Sequence, residues 1–230
     1  MAFYNEDCMI GMAGYPDKHF ELAIVDPPYG IDFGNFNRTN KDALGNRYKA
    51  NKYRNGDWDS AIPTKEYFDE LMRVSQNQII WGGNYFELPP TQGFIFWYKR
   101  NPVSNFSDGE YAWTSFKRPA ACFDYRYFGN IQGATSAEAK LHPTQKPIAL
   151  YSWLLQNYAK KGDKILDTHV GSASSLIACH RLGFEYVGFE IDVDYYRMAC
   201  ERLEKAKSQQ TIFDLPTEQI EKQTLFDVCK

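Results

Sequence analysis

Apolar positions along this chain fall into short continuous runs in its first half and alternate with helical stripes in its second. Phe20–Val25 is an apolar run that stops at Asp26-Pro27-Pro28-Tyr29-Gly30, where two prolines forbid further helix or ladder pairing. The pattern predicts a buried strand ending in a rigid loop. Residues 64–75 place Phe68, Leu71 and Met72 on one helical face, and residues 78–81 return as a strand into Gly82-Gly83. Three aromatic-rich runs at 94–98, 111–116 and 122–128 suit pleated strands, and the small, polar residues 129–141 predict a loop. From Pro147 the spacing of Leu150, Trp153, Leu154 and Tyr158 predicts a helix closed at Gly162. A strand over 164–167, a helix over 172–181 ended by Gly183, a strand over 186–189 and a final helix carrying Tyr196, Ala199, Cys200 and Leu203 follow.

Such β-α-β-α alternation predicts an α/β fold with a mostly parallel twisted sheet and helices on both faces. Ligands of open sheets of this kind sit at the carboxyl ends of strands, where Asp26 and Asp167 both fall. A length of 230 residues suits one core, taken as residues 1–207, with polar residues 208–230 as a tail.

Composition removes several function classes. With 43% hydrophobic and 24% charged residues, no apolar run approaches the roughly 20 residues of a membrane span. The opening residues lack a basic-then-apolar leader, which predicts a cytoplasmic protein. Five scattered cysteines, with no Cys-x-x-Cys and no paired histidines, predict neither a disulfide framework nor a metal site. The net charge of −3 argues against a globally basic nucleic-acid coat. One stretch, 36–55, differs: Arg38, Lys41, Arg47, Lys49, Lys52 and Arg54 face only Asp42 in sequence, which suits phosphate contacts or, equally, a solvated surface loop.

The chemistry concentrates at Asp26-Pro27-Pro28-Tyr29. An exocyclic amine on adenine or cytosine is a poor nucleophile, and two acceptors aimed at its hydrogens favour the pyramidal form that attacks. A carboxylate and a proline-fixed carbonyl supply such acceptors preorganised, and a tyrosine ring offers a face to an extruded base. Further along, Asp167-Thr168-His169-Val170-Gly171-Ser172 leads from a strand into a helix, and Glu190 closes the next strand. No G-x-G-x-x-G is present, which argues against a dinucleotide and for a cofactor without phosphates.

Taken together these segments resemble the amino-directed DNA methyltransferases, which move a methyl group from S-adenosylmethionine to adenine N6 or cytosine N4. Asp26, Pro27, Pro28 and Tyr29 match the family's DPPY motif. The resemblance implies that Asp26 and the Pro27 carbonyl hold the amine and that Tyr29 stacks on the base; aspartate in first place leans towards adenine. It implies a Rossmann-like fold, Glu190 at the ribose hydroxyls and Asp167, Thr168, His169, Gly171 and Ser172 in the cofactor loop. Thr168, His169 and Ala173 depart from that loop's usual proline, phenylalanine and second glycine. The 142–147 segment is similar to the family's HPTxKP, so Thr144 and Lys146 are expected at the cofactor's carboxylate, with Asp7 and Cys8 near its adenine and Asp26 also in reach. The order of motifs matches the class labelled β. Double-stranded DNA is the expected partner, contacted by 31–63 and 99–141, in a bacterial cell or from a phage, within a restriction–modification setting. Cytosine-N4 methylation, an RNA substrate and a catalytically idle DNA- or clamp-binding protein are the alternatives. The last draws on two tail segments, 209–214 and 222–227, that resemble sliding-clamp-binding peptides.

Overall fold

The structure is a computed structural model, and it describes residues 1–31, 59–101, 107–128, 131–132 and 145–209. Along the described chain run β1 (Ala2–Tyr4), α1 (Cys8–Ala13), β2 (Phe20–Val25), α2 (Lys65–Val74), β3 (Ser75–Trp81), β4 (Phe94–Tyr98), β5 (Gly109–Thr114), β6 (Ala121–Asp124), β7 (Tyr127–Phe128) and β8 (Ile131–Gln132). After them come α3 (Ile148–Tyr158), β9 (Lys164–Asp167), α4 (Ser174–Leu182), β10 (Glu185–Phe189) and α5 (Val193–Ser208). Eight strands form one sheet in the order β1-β10-β9-β2-β3-β5-β4-β6. β5 alone among them runs against the rest, pairing antiparallel with β3 and β4, while every other pairing in the sheet is parallel.

The two apolar faces explain the layers. β2 reads as a nearly unbroken hydrophobic run because it is covered on both sides, as expected of a central parallel strand. Leu22 and Ile24 pack with Ile79, Trp81 and Ile165 against α3, α4 and α5 through Leu150, Leu154, Leu176, Ile177 and Leu203. Ala23, Val25, Ile80, Leu166 and Phe189 pack the opposite face against α1 and α2 through Met12, Tyr67, Phe68 and Leu71. Each such aliphatic or aromatic side chain stabilises the fold by about 1.5–3 kcal/mol on burial.

Several expected elements shift at their ends. The strand expected at 122–128 is two, β6 and β7, broken at Tyr125-Arg126, and the helix expected from Ser172 begins at Ser174 because Ala173 adopts a left-handed conformation with φ +62°. β1 and α1, too short to leave a periodic signal, join the sheet edge and cap its upper rim. The basic residues Arg38, Lys41, Arg47, Lys49, Lys52 and Arg54, the residue Thr144 and the two tail segments from Gln210 onward lie outside the described residues.

Topology then places the site. From the neighbouring strands β2 and β9 the chain crosses over in opposite directions, through α2 to β3 and through α4 to β10. The divergence opens a crevice at the carboxyl ends of β2 and β9, the switch point where ligands of such sheets bind.

Candidate active site

Asp26 is the first residue beyond β2 and stands at that crevice. Its Oδ1 accepts a hydrogen bond from the Tyr29 hydroxyl at 2.5 Å, and its Oδ2 pairs with Lys146 Nζ at 2.5 Å. Lys146, arriving just ahead of α3, is also 3.1 Å from Glu110 Oε2 on β5 and donates to the Tyr29 hydroxyl at 3.3 Å. Glu110 in turn is held by Lys99, the residue after β4. The result is a chain of alternating charges, Asp26, Lys146, Glu110 and Lys99, with no net charge. Burial pushes the Asp26 carboxyl up, and Lys146 opposes that push. Burial also works against the Glu110 anion, but Lys146 and Lys99 outweigh it and hold its carboxyl at about 2. For Lys146, burial is more than offset by Asp26 and Glu110, and its pKa lies above the ordinary lysine range.

Backbone and rings fix Tyr29. Asp59 Oδ1 accepts from the backbone N–H groups of Tyr29 at 2.7 Å and Gly30 at 3.0 Å, holding the loop after the two prolines. The Tyr29 ring stacks on Tyr85 with centroids 5.0 Å apart and planes 12° from parallel. Gly82, at φ +69°, lies so close beneath that a Cβ there would be 2.3 Å from the Tyr29 ring. A side chain at 82 would therefore push the ring aside.

The second half of the site lies over β9 and β10. A cleft of about 410 Å³, its open mouth included, is lined by Glu6, Asp7, Cys8, Thr168, His169, Glu190 and Ile191. Asp7 caps α1 by accepting from Met9 N at 2.8 Å. Glu190 accepts from Gly171 N at 2.9 Å with Oε2 and from Asp192 N at 2.9 Å with Oε1. Each of its oxygens keeps a lone pair for a further donor, as binding a vicinal diol requires. Burial raises the Glu190 carboxyl and pushes the Cys8 thiol up to about 12, so Cys8 is an un-ionised wall and no nucleophile. Burial holds His169 at about 4 and therefore neutral at physiological pH. Gly171 N, the kind of amide that cradles a phosphate in a dinucleotide loop, is here committed to Glu190. The donor set fits an uncharged diol better than a pyrophosphate.

Residues expected together in the cofactor loop occupy different places in the structure. Thr168, 2% exposed, bonds Tyr67 at 2.6 Å and His169 Nδ1 at 2.9 Å while still reaching the cleft wall. Asp167 is buried under the loop, where it accepts from His169 N at 3.0 Å and from Ser175 Oγ, and burial lifts its carboxyl to about 7. Ser172 turns towards α5, its carbonyl taking Arg202 Nη1 at 2.6 Å. Asp167 and Ser172 thus shape the loop and are not among the residues lining the cleft. Lys146, expected at the cofactor's carboxylate, is placed beside Asp26.

Residues 87–201, half of the chain, match the DNA methylase family N6_N4_Mtase. The chain belongs to that family. This DNA methylase is 24% identical to the Type II methyltransferase M2.DpnII of Streptococcus pneumoniae over 89% of its length and 90% of the relative's. In fold it resembles M1.HpyAVI solved as a complex with SAM, with a TM-score of 0.53 at 19% identity, covering 87% of this chain and 98% of that one. The cytosine-N4-specific PvuII DNA methyltransferase is similarly alike, with a TM-score of 0.55 at 12% identity and 89% of each chain covered. Both likenesses are to class I methyltransferases, and S-adenosylmethionine is the methylase's methyl donor. The matched span begins beyond Asp26 and Tyr29, so their roles rest on the site's own geometry.

Sequence reasoning missed part of the methylase's site. Asp59, Tyr85, Ser175 and Arg202 carry no local motif, and Lys99, within the 99–141 span expected to contact DNA, pairs with Glu110. In the same span Arg100 pairs with Asp124, and Arg118 donates to the Asn157 carbonyl. No group of His, Cys, Asp or Glu able to hold a metal occurs among the described residues.

Proposed function

We propose that this methylase acts on N6 of an adenine turned out of double-stranded DNA. The observation that carries the reading is Asp26, the aspartate form of the tetrapeptide, standing at the switch point beside the Glu190 cleft. The cofactor, when bound, supplies an electrophilic methyl group on a sulfonium. Asp7, Cys8, His169 and Glu190 would hold it. Asp26 and the Pro27 carbonyl accept the amine's hydrogens, turning its lone pair towards the methyl carbon. Pro28 keeps that carbonyl fixed, and Tyr29 gives the base a stacking face worth about 1–3 kcal/mol. Bringing amine and methyl into line in one crevice can supply roughly 7–11 kcal/mol of the barrier. After transfer the surplus proton leaves through the Asp26 carboxylate to solvent. No covalent enzyme intermediate is needed, in keeping with a protonated Cys8. The basic residues Arg38 to Arg54 are assigned to the DNA phosphates on charge alone.

The test is incubation with labelled S-adenosylmethionine and unmethylated duplex DNA, followed by nucleoside analysis, with Asp26→Ala as control. N6-methyladenine from the unmodified protein, falling at least about 100-fold in the variant, is the expected result. N4-methylcytosine would keep the mechanism and change the base. Cofactor binding without DNA methylation would overturn the reading and direct attention to RNA.

A further inference from the structure

Lys146 is less exposed than the two carboxylates it touches, its side chain 2% accessible against 15% for Asp26 and 25% for Glu110. Its ammonium has three oxygen neighbours: Asp26 Oδ2 at 2.5 Å, Glu110 Oε2 at 3.1 Å and the Tyr29 hydroxyl at 3.3 Å. Glu110 Oε2 meets this ammonium at ion-pair distance and accepts no hydrogen bond, so charge ties Glu110 to Lys146 while the Asp26 carboxylate is its nearest oxygen neighbour. Behind it, Lys99 holds Glu110 and lies 4.9 Å over the Trp97 ring. The indole of the fully buried Trp81 lies 5.3 Å from Nζ. A buried ammonium so enclosed is very costly to leave unpaired, which ties the position of Lys146 to that of Asp26.

We propose that Lys146, braced by Glu110 and Lys99, is a positioning residue for Asp26: it fixes one carboxylate oxygen and supplies the countercharge that lets Asp26 stand as an anion in the crevice. This inference rests on the reading of Asp26 as the acceptor of the target amine, and it takes Lys146 away from the cofactor. The other titratable groups facing Asp26 are Tyr29 on its own loop, Tyr67 on α2, Glu110 on β5, Tyr151 on α3 and Asp167 on β9. None of those is a cation. Burial keeps the three tyrosines protonated, so the anionic neighbours are Glu110 and, above about pH 7, Asp167. Lys146 is therefore the one cation in direct contact with Asp26 among the described residues.

The two partners of the ammonium give opposite signs. Lys146→Met removes the countercharge, and Asp26 should hold its proton to higher pH. Glu110→Gln removes a like charge and leaves Lys146 to Asp26 alone, so Asp26 should lose its proton at lower pH. The experiment follows the Asp26 carboxyl carbon by NMR in protein labelled with ¹³C at aspartate side chains, assigned by its loss in Asp26→Asn. Titration midpoints are compared for the full chain and both variants, and cofactor affinity is measured on the same samples by calorimetry. The expected result is a midpoint raised by about one pH unit or more in Lys146→Met and lowered in Glu110→Gln, with cofactor affinity within about threefold. A midpoint that stays within about 0.3 unit in Lys146→Met overturns the proposal whatever the affinity does. Should Lys146→Met fail to fold, Glu110→Gln decides alone: a lowered midpoint supports the proposal, and an unmoved or raised one overturns it. The titration needs no turnover. An unmodified protein that methylates no DNA would thus sink the functional reading while the midpoints still report on Lys146.

Discussion

Ala173 holds a backbone conformation that side chains avoid, φ +62° and ψ 20°, at the turn into α4. The left-handed region costs a non-glycine residue roughly 1–2 kcal/mol. Ala173→Gly relieves that strain but loosens the unfolded chain by about 0.4–1 kcal/mol, so a net gain of about 0.5–1 kcal/mol is expected in urea unfolding. A loss would mean that packing of the buried Ala173 methyl outweighs the strain. Asp167 tests the same loop through pH. Its carboxyl is lifted by burial from the ordinary 3.8 to about 7, so the folded protein binds this proton more tightly than the unfolded chain does. The stability it contributes is complete below about pH 3.8, declines as the pH rises and is gone above about 7. Asp167→Asn does not titrate, and its stability relative to the unmodified protein should rise between pH 5 and pH 8. Unfolding curves that stay parallel across that range would refute the shift. At Tyr29 two variants separate ring from hydroxyl. Tyr29→Phe keeps the stacking face and loses the bonds to Asp26 and Lys146, so the rate should fall with DNA affinity retained. Tyr29→Ala should also weaken fluorescence-detected base extrusion, by about 5- to 150-fold.

At the scale of elements, α1 shows how a helix of 6 residues can matter. It is fixed by the Asp7 cap and by Gly11, where a Cβ would meet the buried Phe189 ring at 2.1 Å. Helix propensity alone would favour Gly11→Ala by about 1 kcal/mol. The collision reverses the sign: a loss of about 1–3 kcal/mol and weaker cofactor binding are expected, because α1 carries Asp7 and Cys8 to the cleft. This element was not legible in the sequence, since one turn and a half leaves too few positions for a stripe. Long apolar runs were legible: β2, β4, β9 and β10 lie close to where their hydrophobic spans predict, β2 and β9 because burial on both faces demands unbroken apolar stretches, and β4 because its aromatic residues suit a strand even where Phe94 and Tyr98 are exposed. The site was legible where its residues are neighbours in the chain. Asp26 and Tyr29, or Gly171 and Glu190 at adjacent strand tips, could be grouped by spacing. Glu110 could not, because its place beside Lys146 depends on β5 running against the sheet, and nothing local in its sequence encodes strand direction.

For the whole molecule, the two halves of the site ride on separate groups of strands. β2, β3, β5, β4 and β6 carry Asp26, Glu110 and Lys99; β9, β10 and β1 carry the Glu190 cleft. They meet where β2 pairs with β9 through Leu22↔Ile165 and Ala23↔Leu166. Parallel pairing sets β1 alongside β10 with both pointing the same way, and α5 returns from the end of β10 towards the rim where β1 starts. The last turn of α5 and the first residue of β1 therefore lie at the same side of the sheet. A molecule reopened between β8 and α3, with a short flexible linker joining α5 to β1, would present the cofactor strand before the catalytic one yet keep every strand neighbour. Such a circular permutant is expected to bind S-adenosylmethionine as the original does: the order in which the two halves are synthesised is a property of the thread, and the crevice is a property of the weave.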